Sequence, residues 1–310
     1  MDFPQLRNVS ILFIFCISQL VFVDAILGQS ADDSTNRDQP NVRPNSQRKT
    51  RPLEIIENIS YADTDNPRQQ IDLFLPRKQI DDKPLPIVAF IHGGGWRNGS
   101  RRSGLSFIGP IVQTGKYIGA SIGYRLTDEA IWPAQIHDCK AAIRWLRANA
   151  QQYGADSKKI IVAGSSAGGH LVAMLGTSGD VQELEGNLGN HVDKSSRVDG
   201  VVNFFGPSDL ASMGGWHNNS DSPESLLLGG TVPENKKIAQ AASPITYASK
   251  DDPPFLTIHG TIDSVVPFEQ SVQLTKALQK AGAFAQLIPI EGGGHGRPRL
   301  RELDDRIQLF

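Results

Sequence analysis

Three residues of this chain, Ser166, Asp263 and His295, have the types and the order that acyl transfer through a serine requires. A hydroxyl is a poor nucleophile by itself. It needs a base to take its proton, a group that orients the base, and donors for the oxyanion that forms on the attacked carbonyl. Ser166 is the centre of Gly164-Ser165-Ser166-Ala167-Gly168, between the β-branched run Ile160–Ala163 and a helix-compatible stretch. Glycine on both sides permits a very tight strand-to-helix turn, where a Cβ would meet backbone. The helix start then points free N–H groups toward the serine.

The base is expected after a late strand, and His295 stands there in Glu291-Gly292-Gly293-Gly294-His295-Gly296, with no apolar periodicity that would bury it. The acid is expected in an earlier strand-end loop. Asp263 lies in Gly260–Pro267, which turns out of the run Phe255–His259. Turn or helix-cap chemistry is the alternative use of such an aspartate, and Asp209 is the rival acid in the preceding strand-end loop. The donors are assigned to the N–H groups of Gly94, Gly95 and Ala167, because the run Pro86–Ile91 ends in His92-Gly93-Gly94-Gly95-Trp96. The order nucleophile, acid, base differs from that of the chymotrypsin and subtilisin types. His92 is read as a brace for its own loop, His170 as a support beneath the oxyanion loop, and His259 as the end of a buried strand.

These residues must be held by strands and helices. Ile55-Ile56 and Gln70–Pro76 alternate as half-buried antiparallel strands do, whereas Pro86–Ile91 and Tyr117–Tyr124 are continuous apolar runs expected of strands covered on both faces. Ile136, Cys139, Ile143 and Leu146 mark a helix after Pro133 that stops at Gly154. Further strands are predicted at Ile160–Ala163, Val198–Phe205, Pro254–His259 and Ala285–Ile290, with helices at Phe268–Ala281 and from about Leu300 onward. Alternation of strand and helix predicts an α/β fold with a mainly parallel sheet and helices on both faces. The segment from Asp209 to Lys250, rich in Gly, Ser, Asn and Pro, interrupts that alternation and is predicted to be a small cap or pocket wall. Trp96, and Trp216 with His217, are candidate pocket walls there, suited to a sugar face or a feruloyl ring; Trp96 reads equally well as a core residue.

The 310 residues suffice for one large domain. Lys+Arg 31 against Asp+Glu 33 leaves no basic stripe for nucleic acid, and the 7 histidines are dispersed without zinc-site spacing. Arg7 precedes the apolar run Ile11–Val23, and small residues near Ala25 mark a cleavage site, with Gly28 as a second. This predicts a signal peptide over 1–25, export to the periplasm or medium, and no stable membrane anchor. Residues 29–51 read as a flexible polar linker and 52–310 as the catalytic domain. Without the signal, Cys139 is the one remaining cysteine, so no internal disulfide is expected.

From about Leu53 onward the chain resembles the secreted bacterial carboxylesterases of the α/β-hydrolase superfamily. The likeness is to the feruloyl/acetyl-xylan esterase-like branch, near the hormone-sensitive-lipase group. It is carried by HGGGWRNGS at 92–100, WPAQIHDCKAAIRWLRANA at 132–150, GSSAGGHLVAMLGT at 164–177, NFFGPSDL at 203–210, SPITYASKDDPPFLTIHGTIDSVVP at 243–267 and GGGHG at 292–296. The resemblance implies Ser166, Asp263 and His295 as triad, Gly94, Gly95 and Ala167 as oxyanion donors, and no metal or cofactor. It implies a small ester or acylated carbohydrate as substrate and leaves the oligomeric state open. Gly296-Arg297-Pro298-Arg299-Leu300-Arg301 is basic where relatives run into an apolar helix. A lipase, an arylformamidase or a short peptidase could use the same parts, and an inactive hydrolase scaffold serving as a binding protein would be expected to lack one of the three.

Overall fold

The structure is a computed structural model that describes residues 53–80, 82–179 and 181–296. The expected signal peptide, polar linker and last helix lie outside the described residues. In chain order the elements that matter for the site are strands β1 (Leu53–Ser60), β2 (Gln70–Pro76) and β3 (Leu85–Ile91), helix α1 (Gly104–Val112), strand β4 (Ile118–Ile122) and helix α2 (Ala134–Asn149). They continue with β5 (Ala155–Ser165), α3 (Ala167–Thr177), β6 (Gly200–Phe204), the short helices α4 (Pro223–Leu228) and α5 (Lys236–Ala241), β7 (Phe255–Gly260), α6 (Glu269–Ala281) and β8 (Ala285–Ile290).

The strands form one sheet in the order β1-β2-β4-β3-β5-β6-β7-β8. β1 with β2 and β2 with β4 pair antiparallel, and every pairing from β4 onward across the sheet is parallel. Parallel strands need long crossovers, and the helices that supply them cover the faces. Ile136, Ile143 and Leu146 of α2, Leu171 and Leu175 of α3, and Leu274 and Leu278 of α6 share one core with Ile87, Ala89, Ile160 and Val162. Ile108 and Val112 of α1 pack on the opposite face with Val88, Phe90, Val202 and Phe204. At roughly 25 cal/mol per Å² of apolar surface, each such buried side chain contributes about 1.5–3 kcal/mol.

One strand departs from its sequence pattern. Gln70–Pro76 alternates as a half-exposed strand would, yet Ile71, Asp72, Leu73 and Phe74 are all buried. β2 lies between two other strands, and α1 covers the face on which the alternation places Asp72. The Asp72 carboxylate is paired there with Arg101 at 2.8 Å and also accepts the Asn58 N–H at 2.9 Å. A buried charge so paired can occupy what would otherwise be an apolar site.

The segment between β6 and β7 carries α4, α5 and several single 3₁₀ turns. It is fastened to the body through Trp132, whose N–H donates to the Leu227 carbonyl at 2.8 Å, and through Leu210, Leu227, Leu228 and Val232 in the main core.

Candidate active site

Ser166 sits between the end of β5 and the start of α3 with φ 54° and ψ −121°. A serine in that region carries strain of about 1–3 kcal/mol, which persists only where the surroundings enforce it. Its N–H donates to the Phe204 carbonyl and its own carbonyl accepts the His170 N–H, both at 2.9 Å. The flanking glycines account for the rest. A Cβ on Gly164 would come within 2.3 Å of the Gly168 carbonyl oxygen, and one on Gly168 within 2.1 Å of the Ile91 oxygen. Only at this crossing of β3, β5 and α3 can the turn close, and it raises the hydroxyl out of the sheet.

The Ser166 hydroxyl donates to His295 Nε2 at 3.0 Å, and His295 Nδ1–H donates to Asp263 Oδ2 at 2.7 Å. The three side chains thus come from the carboxyl ends of β5, β7 and β8, which are distant in sequence and close in the sheet. Asp263 Oδ1 accepts the N–H groups of Val265 and Val266 at 2.8 and 2.9 Å. Burial alone would raise the pKa of Asp263. The hydrogen bonds from His259, His295 and the two valine N–H groups outweigh it and hold this carboxyl well below the usual carboxylate range. The rival acid, Asp209, instead accepts the Ala211 N–H at 3.1 Å and caps the short turn that follows it.

A contact that the sequence reading did not assign involves His259. Its Nε2–H is shared between Asp263 Oδ2 at 3.2 Å and the Val266 carbonyl at 3.0 Å, and its Nδ1 accepts the Ser271 hydroxyl of α6 at 2.6 Å. The Asp263 oxygen that holds His295 therefore has a second imidazole donor behind it. The signal available in the sequence was the four-residue interval from His259 to Asp263 across a strand-end turn, which periodicity does not register.

The glycine loop at 92–96 packs against the Ser166 turn. A Cβ on Gly93 would lie 2.6 Å from the Ser165 oxygen, and Gly94 and Gly95 have φ of 115° and 59°. Ala167 opens α3, where the first N–H groups lack intrahelical acceptors. Trp96 closes the loop with φ 57° and an indole that is 2% exposed. Its Nε1–H donates to His170 Nδ1 at 3.2 Å, and His170 Nε2–H donates to the Ala242 carbonyl at 2.6 Å. Although Trp96 borders the cavity, its ring is a core residue, which resolves the two readings of it. His170 lies beneath the 92–96 loop, against Trp96, and burial lowers its pKa to about 4. His92 donates from Nδ1 to the Gly93 carbonyl at 2.8 Å and stacks on Tyr124, and burial brings it also to about 4.

Ser166 and His295 open into a cavity of about 990 Å³. Phe90, Phe107 and Phe205 line one part of it, and Trp216, His217 and Asn219 of the 209–250 segment line another. Trp216 is 45% exposed. Among the described residues no three His, Cys, Asp or Glu side chains cluster as metal donors, and no helix is long and apolar enough to cross a membrane.

The sheet, its flanking helices and the strand-end serine define an α/β-hydrolase. The chain belongs to the BD-FAE family, whose model matches residues 71–278. It is 35% identical over 243 residues to Esterase LipC of Mycobacterium tuberculosis, covering 75% of this chain and 58% of that protein. The chain spans about half the length of the curated relatives it matches. Among solved structures it is similar to a truncated carbohydrate esterase from gut microbiota, at 34% identity and TM-score 0.75, over 83% of this chain and 95% of that one. It is also similar to esterase 2 of Thermogutta terrifontis with propionate bound, at 28% identity and TM-score 0.65, over 83% and 94% of the two chains.

Proposed function

We propose that this protein is an exported serine carboxylic ester hydrolase that removes short acyl groups, acetyl above all, from carbohydrate hydroxyls. The observation that carries the reading is the continuous hydrogen-bond chain from Ser166 through His295 to Asp263, at 3.0 and 2.7 Å, facing an open cavity. The carbohydrate and propionate named for the two similar structures support the substrate class, and the apolar run Ile11–Val23 supports export.

In this mechanism Ser166 attacks the ester carbonyl while His295 takes its proton at Nε2. Asp263 keeps the imidazole in the Nδ1–H tautomer and stabilises the cation that forms. The N–H groups of Gly94, Gly95 and Ala167 receive the oxyanion. His295 returns the proton to the leaving alcohol oxygen, which leaves an acyl-enzyme on Ser166. Water then attacks with His295 as base, and the carboxylic acid departs. Feruloyl esters, long-chain acyl esters and formamides are the alternatives to be ranked. Turnover of p-nitrophenyl esters from acetate to octanoate, followed by acetylated xylan against methyl ferulate, tests this reading. Release of p-nitrophenol from the acetate ester, lost in Ser166→Ala, is expected; no release by the wild-type protein overturns the esterase reading, and a preference for octanoate overturns the short-acyl one.

A further inference from the structure

The wall that the 209–250 segment lends to the cavity has an unusual construction. Trp216 is exposed on its cavity side, while its other side rests on the His217 ring, centroids 3.8 Å apart and tilted by 31°. His217 is 3% exposed, and its Nδ1 stands 3.1 Å from Oε1 of Glu224, which is likewise 3% exposed. That contact is an ion-pair distance without hydrogen-bond alignment, and both His217 Nδ1 and Glu224 Oε2 are buried with no aligned partner. Two buried polar side chains therefore back one exposed indole. Burying such groups without aligned hydrogen bonds costs stability, and an unsatisfied buried pair of this kind calls for an explanation at the site.

Their position says what that is. Pro223, at the start of α4, is the nearest neighbour of Gly95: a Cβ on Gly95 would lie 3.2 Å from the Pro223 Cβ. Glu224 is the next residue. The Trp216–His217–Glu224 stack thus adjoins the oxyanion loop, so a group attached to the reacting ester passes beside it. An exposed indole presents a flat apolar face. The same cavity is lined by the exposed polar residues Asn219 and Asp221 of this segment and, from the 92–100 loop, by Arg97 and Asn98. A flat apolar face in a cavity that also carries amide, carboxylate and guanidinium groups matches a pyranose ring, which has an apolar C–H face and hydroxyls around its perimeter. An aryl ring would call for apolar contact at its edge as well.

We infer that Trp216 is the platform on which the sugar ring of the ester's alcohol part stacks, and that the buried His217–Glu224 pair is what holds the indole in place. This rests on the carbohydrate-ester reading above and deepens it. Trp216 contacts substrate; His217 and Glu224 are positioning residues that act through it.

The test compares wild type, Trp216→Ala, Trp216→Phe and Glu224→Gln on acetylated xylotriose and on p-nitrophenyl acetate, with binding of unesterified xylotriose measured by calorimetry. The stacking contact predicts that Trp216→Ala loses about tenfold in kcat/KM on the sugar ester, chiefly through KM, with p-nitrophenyl acetate changed by less than about twofold. Trp216→Phe recovers most of the loss, and xylotriose binding falls in parallel. Glu224→Gln, nearly isosteric, gives a smaller loss confined to the sugar substrate. Equal losses on both substrates in Trp216→Ala, no loss on either, or unchanged xylotriose binding overturns the platform. If Glu224→Gln matches wild type on both substrates, the positioning role falls. Wild type that binds xylotriose yet turns over neither ester leaves the platform standing and overturns the esterase reading instead.

Discussion

The strand-end crossing that holds Ser166 and the 209–250 wall that faces it are built on opposite principles. At the crossing, backbone meets backbone: a Cβ on Gly168 would lie 2.1 Å from the Ile91 oxygen, and Trp96 and His170 beneath the loop are buried with every ring nitrogen hydrogen-bonded. The wall consists of six-residue helices and single turns, with Trp216 exposed on it and a Cβ on Gly214 or Gly215 meeting nothing within 4 Å. The first arrangement leaves the Ser166 turn no room to shift, as positioning for chemistry would demand. The second leaves room to change what is recognised without disturbing what reacts. On the proposed reading, bond cleavage and substrate choice are then separable parts of one cavity.

That separation predicts a graded series. Ser166→Ala should lower kcat by about 10⁴-fold or more on every ester, sugar-bearing or not, with melting temperature kept, since the nucleophile serves both substrate types. A residual activity within tenfold of wild type would remove Ser166 from its role. The contrast between the two tryptophans should be nearly as plain in thermal denaturation. Trp96→Ala deletes a buried ring and is expected to cost about 3–5 kcal/mol. Trp216→Ala, at the exposed wall, should stay within about 0.5 kcal/mol. Comparable losses would show that the wall is part of the rigid frame.

His259→Gln tests the reach of that frame behind the acid. Removing the second donor on Asp263 Oδ2 should lower kcat by about 10- to 100-fold, the scale of a small misplacement, with KM little changed on either substrate. A change in KM alone would put His259 outside the catalytic chain.

The same frame should be sensitive to acid. His170 accepts the indole N–H at Nδ1, so a proton there would set donor against donor, and burial keeps both His170 and His92 near a pKa of about 4. Unfolded histidine takes up its proton near 6.5, so over this window the unfolded chain binds more protons than the folded one. The stability these groups contribute is complete above about pH 6.5 and declines as pH falls toward about 4. The depressed Asp263 adds a second decline that begins below about 3.9, the ordinary aspartate value. Melting temperatures measured from pH 8 to 4 should therefore fall chiefly in the lower half, and His170→Gln should flatten that fall. A flat wild-type profile would contradict the assignment. The smallest effect on activity is expected at Asp209: alanine there removes a cap worth about 1 kcal/mol and should leave kcat within about twofold on either substrate.

Much of this was legible in the chain. The elements that carry the site fell close to their predicted places because parallel strands buried on both faces leave uninterrupted apolar runs, as at Pro86–Ile91, and because amphipathic spacing marks α2 and α6. Gly164 and Gly168 announced the elbow, since only glycine tolerates the approach that the structure shows there. Other features had no local signature. The alternation of Gln70–Pro76 reads as half-exposed, and only the arrival of α1 over Asp72, with Arg101 to pair it, buries both faces. The choice between core and cavity for Trp96 depended on whether His170, four residues beyond Ser166, would present Nδ1 to the indole. His259 gains its place behind the acid because β7 ends where the turn to Asp263 folds back over it, and Ser271 of α6 sets its tautomer.

The sequence by itself therefore determined the groups on offer: a serine in a turn that admits no side chain beside it, and an aspartate and a histidine at later strand ends, in an order fixed by covalent sequence and local backbone sterics. The tertiary structure alone decided which oxygen each imidazole meets, which tryptophan is buried and which stands at the cavity wall. Those outcomes depend on contacts between residues far apart in the chain, whose energies appear only once the sheet and its covering helices have brought them together.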